Sequence, residues 1–136
     1  MAGEPEPRYR VARIEDVPAL ASDLVEGEWR PVRYHFGITA FGCNAYVARE
    51  AGELIVEEHD EGDEGHEELY VVVSGVAQFT LDGEERDAAG GTLVYCERPV
   101  VRKAVAVEPG TTVLAIGGFP GRAFEVSRWE ASRTGS

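Results

Sequence analysis

Residues 52–84, GELIVEEHDEGDEGHEELYVVVSGVAQFTLDGE, decide the fold. The apolar run over 54–59 predicts a strand, and the acidic, glycine-bearing segment after it predicts a loop. A second apolar run over 69–73 turns at Ser74-Gly75 and continues over 76–81 with alternating apolar positions. It ends at Asp82-Gly83, a dipeptide that tolerates the positive φ angles of a two-residue hairpin. His59 and His66 flank the loop, and Glu67 and Glu68 follow the second histidine.

Outward from this stretch the same pattern repeats. Residues 92–96, 100–107 and 111–116 read as strands separated by Glu97-Arg98-Pro99 and Glu108-Pro109-Gly110, and residues 29–37 and 38–49 read as two earlier strands broken at Gly37. Many short strands with turns at regular spacing mean a sandwich or a barrel. The exception is the N-terminal part. Val11, Ile14, Val17, Leu20 and Leu24 recur at three- and four-residue intervals, and Asp16 with Pro18 resembles a helix start, so a short amphipathic helix is expected near 16–25. Residues 1–9, polar and proline-rich, are expected to be a disordered tail, and residues 10–136 a single domain with its core at about 42–116. The last stretch carries Phe119, Phe124 and Trp129 among turn residues and is expected to close one end of the core.

Composition narrows the function classes. The chain has 136 residues and a net charge of −12, with 25 acidic residues against 13 basic. A surface this acidic repels phosphate backbones and anionic lipid, so neither nucleic acid nor membrane is an expected partner. No apolar run approaches the roughly 20 residues of a membrane helix, and the N-terminus has no apolar core of a secretory signal. The expected address is cytoplasmic. Cys43 and Cys96 lie far apart in apolar surroundings and read as two buried thiols.

Glu68-Leu69-Tyr70-Val71-Val72-Val73-Ser74-Gly75 fits the E-x6-G half of the first cupin motif, and residues 91–99, GTLVYCERP, look like the start of the second. Over residues 42–116 the chain resembles the small single-domain cupins of the conserved-barrel type. The resemblance implies an all-β, double-stranded β-helix (jelly-roll) barrel with a pocket at one mouth, and a homodimer. It also implies a metal site built from an H-x-H pair and a glutamate of the first motif and a histidine of the second. Here the pair reads Glu57-x-His59, an insertion separates His59 from Glu68, and the second motif's histidine position holds Arg102. Arginine stays protonated and has no lone pair for a cation, so the usual four-ligand set is absent.

Each candidate has two readings. His59 is a ligand or base lining the barrel, or a half-solvated histidine at a strand end. Glu68 is a metal ligand, or it pairs with Arg102, since a buried carboxylate needs a partner. His66 is a surface histidine of the loop, or a replacement ligand swung inward. The loop's carboxylates, Glu61 among them, suit a hard cation but are more simply a solvated acidic segment. Asn44, Tyr70, Gln78 and Tyr95 are polar groups that alternation could aim inward.

Two functions follow. In the first, Asn44, His59, Glu68, Tyr70, Gln78, Tyr95 and Arg102 form a pocket for a small polar or anionic ligand without the usual metal site. In the second, the chain is a metal-dependent enzyme of the dioxygenase or isomerase type. His59, Glu68, His66 and Glu57 would then hold Fe, Mn, Zn or Ni.

Overall fold

The computed structural model describes residues 8–135. Nine strands follow one another: β1 (Glu28–Arg30), β2 (Gly42–Val47), β3 (Leu54–His59), β4 (Glu67–Ser74), β5 (Val76–Leu81), β6 (Glu84–Ala89), β7 (Leu93–Cys96), β8 (Arg102–Ala106) and β9 (Thr112–Gly118). Two short helices, α1 (Val32–Phe36) and α2 (Arg128–Thr134), complete the list of named elements. The strands form a five-stranded sheet in the order β1-β2-β9-β4-β7 and a four-stranded sheet in the order β3-β8-β5-β6, antiparallel throughout. Two antiparallel sheets face to face, with sequential strands exchanged between them, make the expected jelly roll.

Alternation within each strand places the core between the sheets. On β4 Tyr70 and Val72 point inward, and on β5 Ala77 and Phe79 do so, all of them at most 1% exposed. Full burial of a side chain such as Phe79 contributes roughly 1.5–3 kcal/mol. Their neighbours Val71, Val73 and Gln78 face outward by the same parity. The turns are as the glycines require. Asp82 and Gly83 take φ of 49° and 86°, which suits the hairpin between β5 and β6. Gly75, at φ 76°, lets β4 turn into β5 against the buried Thr111, whose hydroxyl bonds both the Val76 amide and the Val76 carbonyl. Both cysteines are free and buried, as their contexts predict.

The N-terminal part departs from expectation. No helix forms over 16–25; a single 3-10 turn spans Ile14–Asp16, and the chain then extends. Val17 precedes Pro18 and sits at φ −78°, ψ 117°, the extended region to which a following proline confines it. Leu20 then pairs with Trp29, its amide bonding the Trp29 carbonyl at 2.9 Å. A ten-residue helix is marginal by itself, and this bridge outcompetes it. The strand expected over 29–37 is short for the opposite reason. β1 stops at Arg30, and Val32 to Phe36 coil into α1, closed by Gly37 in the left-handed region at φ 71°. Alternating Val32, Tyr34 and Phe36 is also i, i+4 spacing for Val32 and Phe36, so the pattern admits both periods.

The C-terminal segment closes one end of the barrel, as its aromatics predict. Trp129 packs on the fully buried Trp29 with ring centroids 4.4 Å apart. Glu130 forms a buried ion pair with Arg33, tying α2 to α1. Residues 1–7 of the expected disordered tail lie outside the described residues, and Arg8 and Tyr9 are exposed. Among the described residues no helix is long and apolar enough to cross a membrane.

Candidate functional site

Strand register brings three charged side chains to one end of the core. His59, the last residue of β3, stands opposite Arg102, the first of β8. Glu68 on β4 sits two residues before Tyr70 and so shares its inward face. Arg102 is fully buried and its fork is spent internally: Nη1 donates to Glu68 Oε1 at 2.9 Å, Nε to the Val100 carbonyl at 3.0 Å, and Nη2 to the Glu97 and Arg98 carbonyls at 2.8 and 3.2 Å. The Tyr70 hydroxyl also donates to Glu68 Oε1, at 3.1 Å. Arg102 therefore occupies the place where the resemblance implies a metal ligand, and supplies positive charge to the glutamate that would have held the metal.

His59 completes the group. Its Nδ1 lies 2.7 Å from the Glu57 carbonyl, which can only accept, so Nδ1 carries a proton and Nε2 faces outward. There it meets two carboxylates, Glu61 Oε1 and Glu68 Oε1, each at 3.6 Å. Burial pushes the imidazole toward neutrality, but the two facing carboxylates outweigh it and raise its pKa to about 10. For Glu68, burial pushes the carboxyl up, while His59, Glu61 and Arg102 bring it below the ordinary value. Two anions and two cations thus balance: Glu61 and Glu68 against His59 and Arg102.

The same atoms have the composition of a metal donor set. One ligand atom each from His59, Glu61 and Glu68 can be chosen so that all lie within 4.8 Å of one another. A nitrogen and two carboxylate oxygens fit a divalent transition metal, and the Nδ1–H bond to the Glu57 carbonyl is the second-layer support such a histidine usually has. A metal would have to displace the Nε2 proton and share Glu68 with Arg102. The set differs from the expected one. Glu57 and His66 line the neighbouring cavity, but neither belongs to this cluster, and Glu61 takes their place.

Beside the cluster opens a cavity of about 480 Å³. Asn44, Glu57, His59, Glu68 and Tyr70 line it, as does His66, whose ring lies 4.4 Å from Phe119 and 5.4 Å from Phe124. Asn44 accepts from the Trp29 indole N–H at 2.8 Å. Two expected pocket residues are elsewhere. Gln78 faces out and its amide reaches Asp87, and Tyr95 is 58% exposed with its hydroxyl on Glu67. Strand parity is the reason: Gln78 alternates with the inward Ala77 and Phe79, and Tyr95 pairs with Leu69 while its neighbour Cys96 pairs with the cavity-lining Glu68. Arg102 lies behind Glu68 rather than in the wall, so the expected anion anchor does not reach a ligand.

Residues that sequence reasoning assigned to solvent or to closure complete the wall. Glu61 comes from the acidic loop, which folds over the mouth. Its amide bonds the Arg98 carbonyl at 2.8 Å, Arg98 reaches the Asp63 carbonyl, and Arg122 reaches the Glu64 carbonyl at 2.7 Å. Phe124, Glu125, Trp129 and Glu130 come from the C-terminal segment. The ring of Phe124 sits over Gly42, where a Cβ would come within 3.3 Å of it. Only the aromatic content of that segment signalled its place; nothing in the spacing marks Glu61.

Comparison of the fold places it among known barrels. A cupin 2 conserved barrel domain protein from Salinispora arenicola superposes with a TM-score of 0.65 at 15% identity, covering 82% of this chain and 89% of that one. A cupin protein from Bacteroides fragilis gives 0.62 at 16% identity, covering 92% and 96%. The fold is a cupin barrel. A sugar phosphate isomerase from a cupin superfamily, from Silicibacter pomeroyi, gives 0.67 at 16% identity over 79% of this chain and 74% of that one. No protein-family model and no curated protein sequence matches the chain.

Proposed function

We propose that this cupin barrel binds a small polar organic ligand in the cavity at its mouth, without a four-ligand metal centre. The observation that carries the reading is the Arg102–Glu68 pair. A buried guanidinium stands at the position of a metal-binding histidine, and with a protonated His59 it balances the carboxylates without an ion. The cavity, which combines aromatic and aliphatic side chains with polar and acidic groups, is a concave site of small-molecule size. The test is a thermal-shift panel of small polar metabolites on the wild type and on Ala115→Leu, whose added side chain fills the cavity from β9. A ligand shifts the wild type by several degrees and the variant hardly at all. A panel with no such compound, or shifts equal in both proteins, sinks the reading.

The second reading, a metal-dependent enzyme, is favoured by the His59–Glu61–Glu68 cluster. Neighbours of this fold include a protein described as a sugar phosphate isomerase and one described as a predicted oxalate decarboxylase. A bound transition metal would act here as a Lewis acid held by those three residues. Elemental analysis after incubation with iron, manganese, zinc and nickel separates the two readings. Stoichiometric metal that is lost in Glu61→Gln favours the enzyme; metal-free protein favours the binder.

We also propose a homodimer. The outer face of β4 and β7 carries Val73, Leu93 and Tyr95 at 46%, 63% and 58% exposure, an apolar patch that a second copy would cover. Light scattering of the wild type against Leu93→Glu tests it: a dimer that the charge converts to monomer is expected, and a monomeric wild type sinks it.

A further inference from the structure

Five carboxylates line the cavity, those of Glu57, Glu61, Glu68, Glu125 and Glu130, and no lysine or arginine does among the described residues. Three of the five already have their cations. Arg102 holds Glu68 from behind, Arg33 holds Glu130 from behind, and His59 faces Glu61. Glu57 and Glu125 are left over. Glu125 is exposed at the rim, but Glu57 is half-buried, and its carboxylate has no hydrogen-bond or ion-pair partner among the described residues. A carboxylate that lines a cavity and has no cation of its own is free to take one from a ligand. The rest of the wall is mixed: Ile55 and Val56 from β3 and Phe119, Phe124 and Trp129 from the C-terminal segment are apolar or aromatic, Asn44, His66 and Ser127 are polar, and the Trp129 indole N–H is buried without a partner among the described residues.

We infer that the ligand is an organic amine, a small molecule with an apolar body and one ammonium group, the ammonium seated at Glu57 and the body against Phe124 and Ile55. This rests on the cavity-binding reading above and gives that site its ligand class. The arrangement selects by sign. A carboxylate or phosphate would enter beside two unbalanced negative charges, with no arginine or lysine among the described lining residues and the guanidiniums of Arg102 and Arg33 engaged by Glu68 and Glu130. A neutral alcohol of the same shape would fill the apolar wall and can donate a hydrogen bond, but it would leave the charge of Glu57 uncompensated. An ammonium group forms a charge-assisted hydrogen bond there, in surroundings less screened than open water.

The experiment is calorimetric titration with three probes of matched shape, benzylamine, benzyl alcohol and benzoate, against the wild type, Glu57→Gln and Ala115→Leu. Benzylamine is expected to bind the wild type about tenfold or more tightly than benzyl alcohol, the difference one charge-assisted contact makes, and benzoate is expected not to bind. Glu57→Gln should remove that advantage while leaving benzyl alcohol unchanged, which also shows that the variant keeps its cavity. Alcohol or benzoate binding as tightly as the amine overturns the inference, and so does an amine affinity indifferent to Glu57→Gln. If that binding is nevertheless abolished by Ala115→Leu, the cavity-binding reading survives and only the ligand class falls. Absence of binding by all three probes overturns the inference too, while the cavity reading is then judged by its own metabolite panel.

Discussion

Arg102 donates from Nη1 to Glu68 Oε1 at 2.9 Å, and the pair bridges the two sheets, with Glu68 on β4 and Arg102 on β8. The arginine is fully buried and makes three further bonds to carbonyls of the connector between β7 and β8. One side chain thus holds a sheet, a loop and the floor of the cavity.

Replacing Arg102 by Met should therefore be severe. It leaves Glu68 with only the Tyr70 hydroxyl and His59 as partners and frees three carbonyls, and breaking a buried pair from one side costs about 3–5 kcal/mol. Arg102→Lys should recover little, because an ammonium cannot reproduce the planar fork. Adding Glu68→Leu to Arg102→Met should recover a large part of the loss, since no charge is then left unpaired. Urea unfolding of the single and double variants measures the coupling; additive losses would show that the pair does not hold the floor together.

Stability should fall on the alkaline side through His59. Its folded pKa of about 10 lies above the unfolded value of 6.5, so the protonated ring stabilises the fold. That contribution is complete below pH 6.5 and is lost as pH rises through about 10. The urea midpoint of the wild type should decline across this window, and His59→Gln should flatten the decline. NMR titration of the ring reads the same shift directly, and a midpoint near 6.5 would refute it.

Gln78 and Tyr95 face outward, so neither should touch ligand binding. Gln78→Ala and Tyr95→Phe should each change stability by no more than about 0.5 kcal/mol and leave the Ala115→Leu-sensitive thermal shifts intact. A lost shift in either would return that residue to the pocket.

Two glycines separate backbone strain from collision. Both have positive φ, 76° for Gly75 and 86° for Gly83. A Cβ at Gly83 meets nothing within 4 Å, whereas at Gly75 it would lie 2.4 Å from Thr111 Oγ1 and 2.7 Å from Thr111 Cα. Gly83→Ala should cost about 1 kcal/mol, the left-handed penalty alone. Gly75→Ala should cost at least about 2 kcal/mol, since backbone must also move. Equal losses in thermal unfolding would mean that the β4–β5 turn yields more easily than its contacts imply.

Several features of the barrel were legible before any coordinates. The apolar run over 69–73, the alternation over 76–81, the Asp82-Gly83 hairpin and the short connectors define strands by local rules. A residue's parity on a strand is settled by its neighbours in sequence, and the apolar positions that alternate over 76–81, Ala77 and Phe79 among them, lie in the core. The Glu68–Arg102 pair was one of two readings of Glu68, and it came from the resemblance: both residues stand at the ligand positions of the cupin motifs, where a buried carboxylate and a guanidinium can compensate each other. Where two local patterns competed, reading failed. Residues 16–25 have helical spacing but are pulled straight by the Leu20–Trp29 bridge, and 32–36 alternate like a strand but coil against the barrel.

The sequence by itself determined most of the strands and an all-β sandwich or barrel, because these depend on residue type and short-range period. Only the tertiary structure decided what fills the mouth. Glu61 reaches His59 because its loop is pinned by Arg98 and Arg122, residues 37 and 61 positions further along the chain. Phe124 and Glu130 reach the cavity because α2 is locked to α1 through Arg33. Such long-range contacts leave no period in the sequence, and they set both the shape of the cavity and its charge.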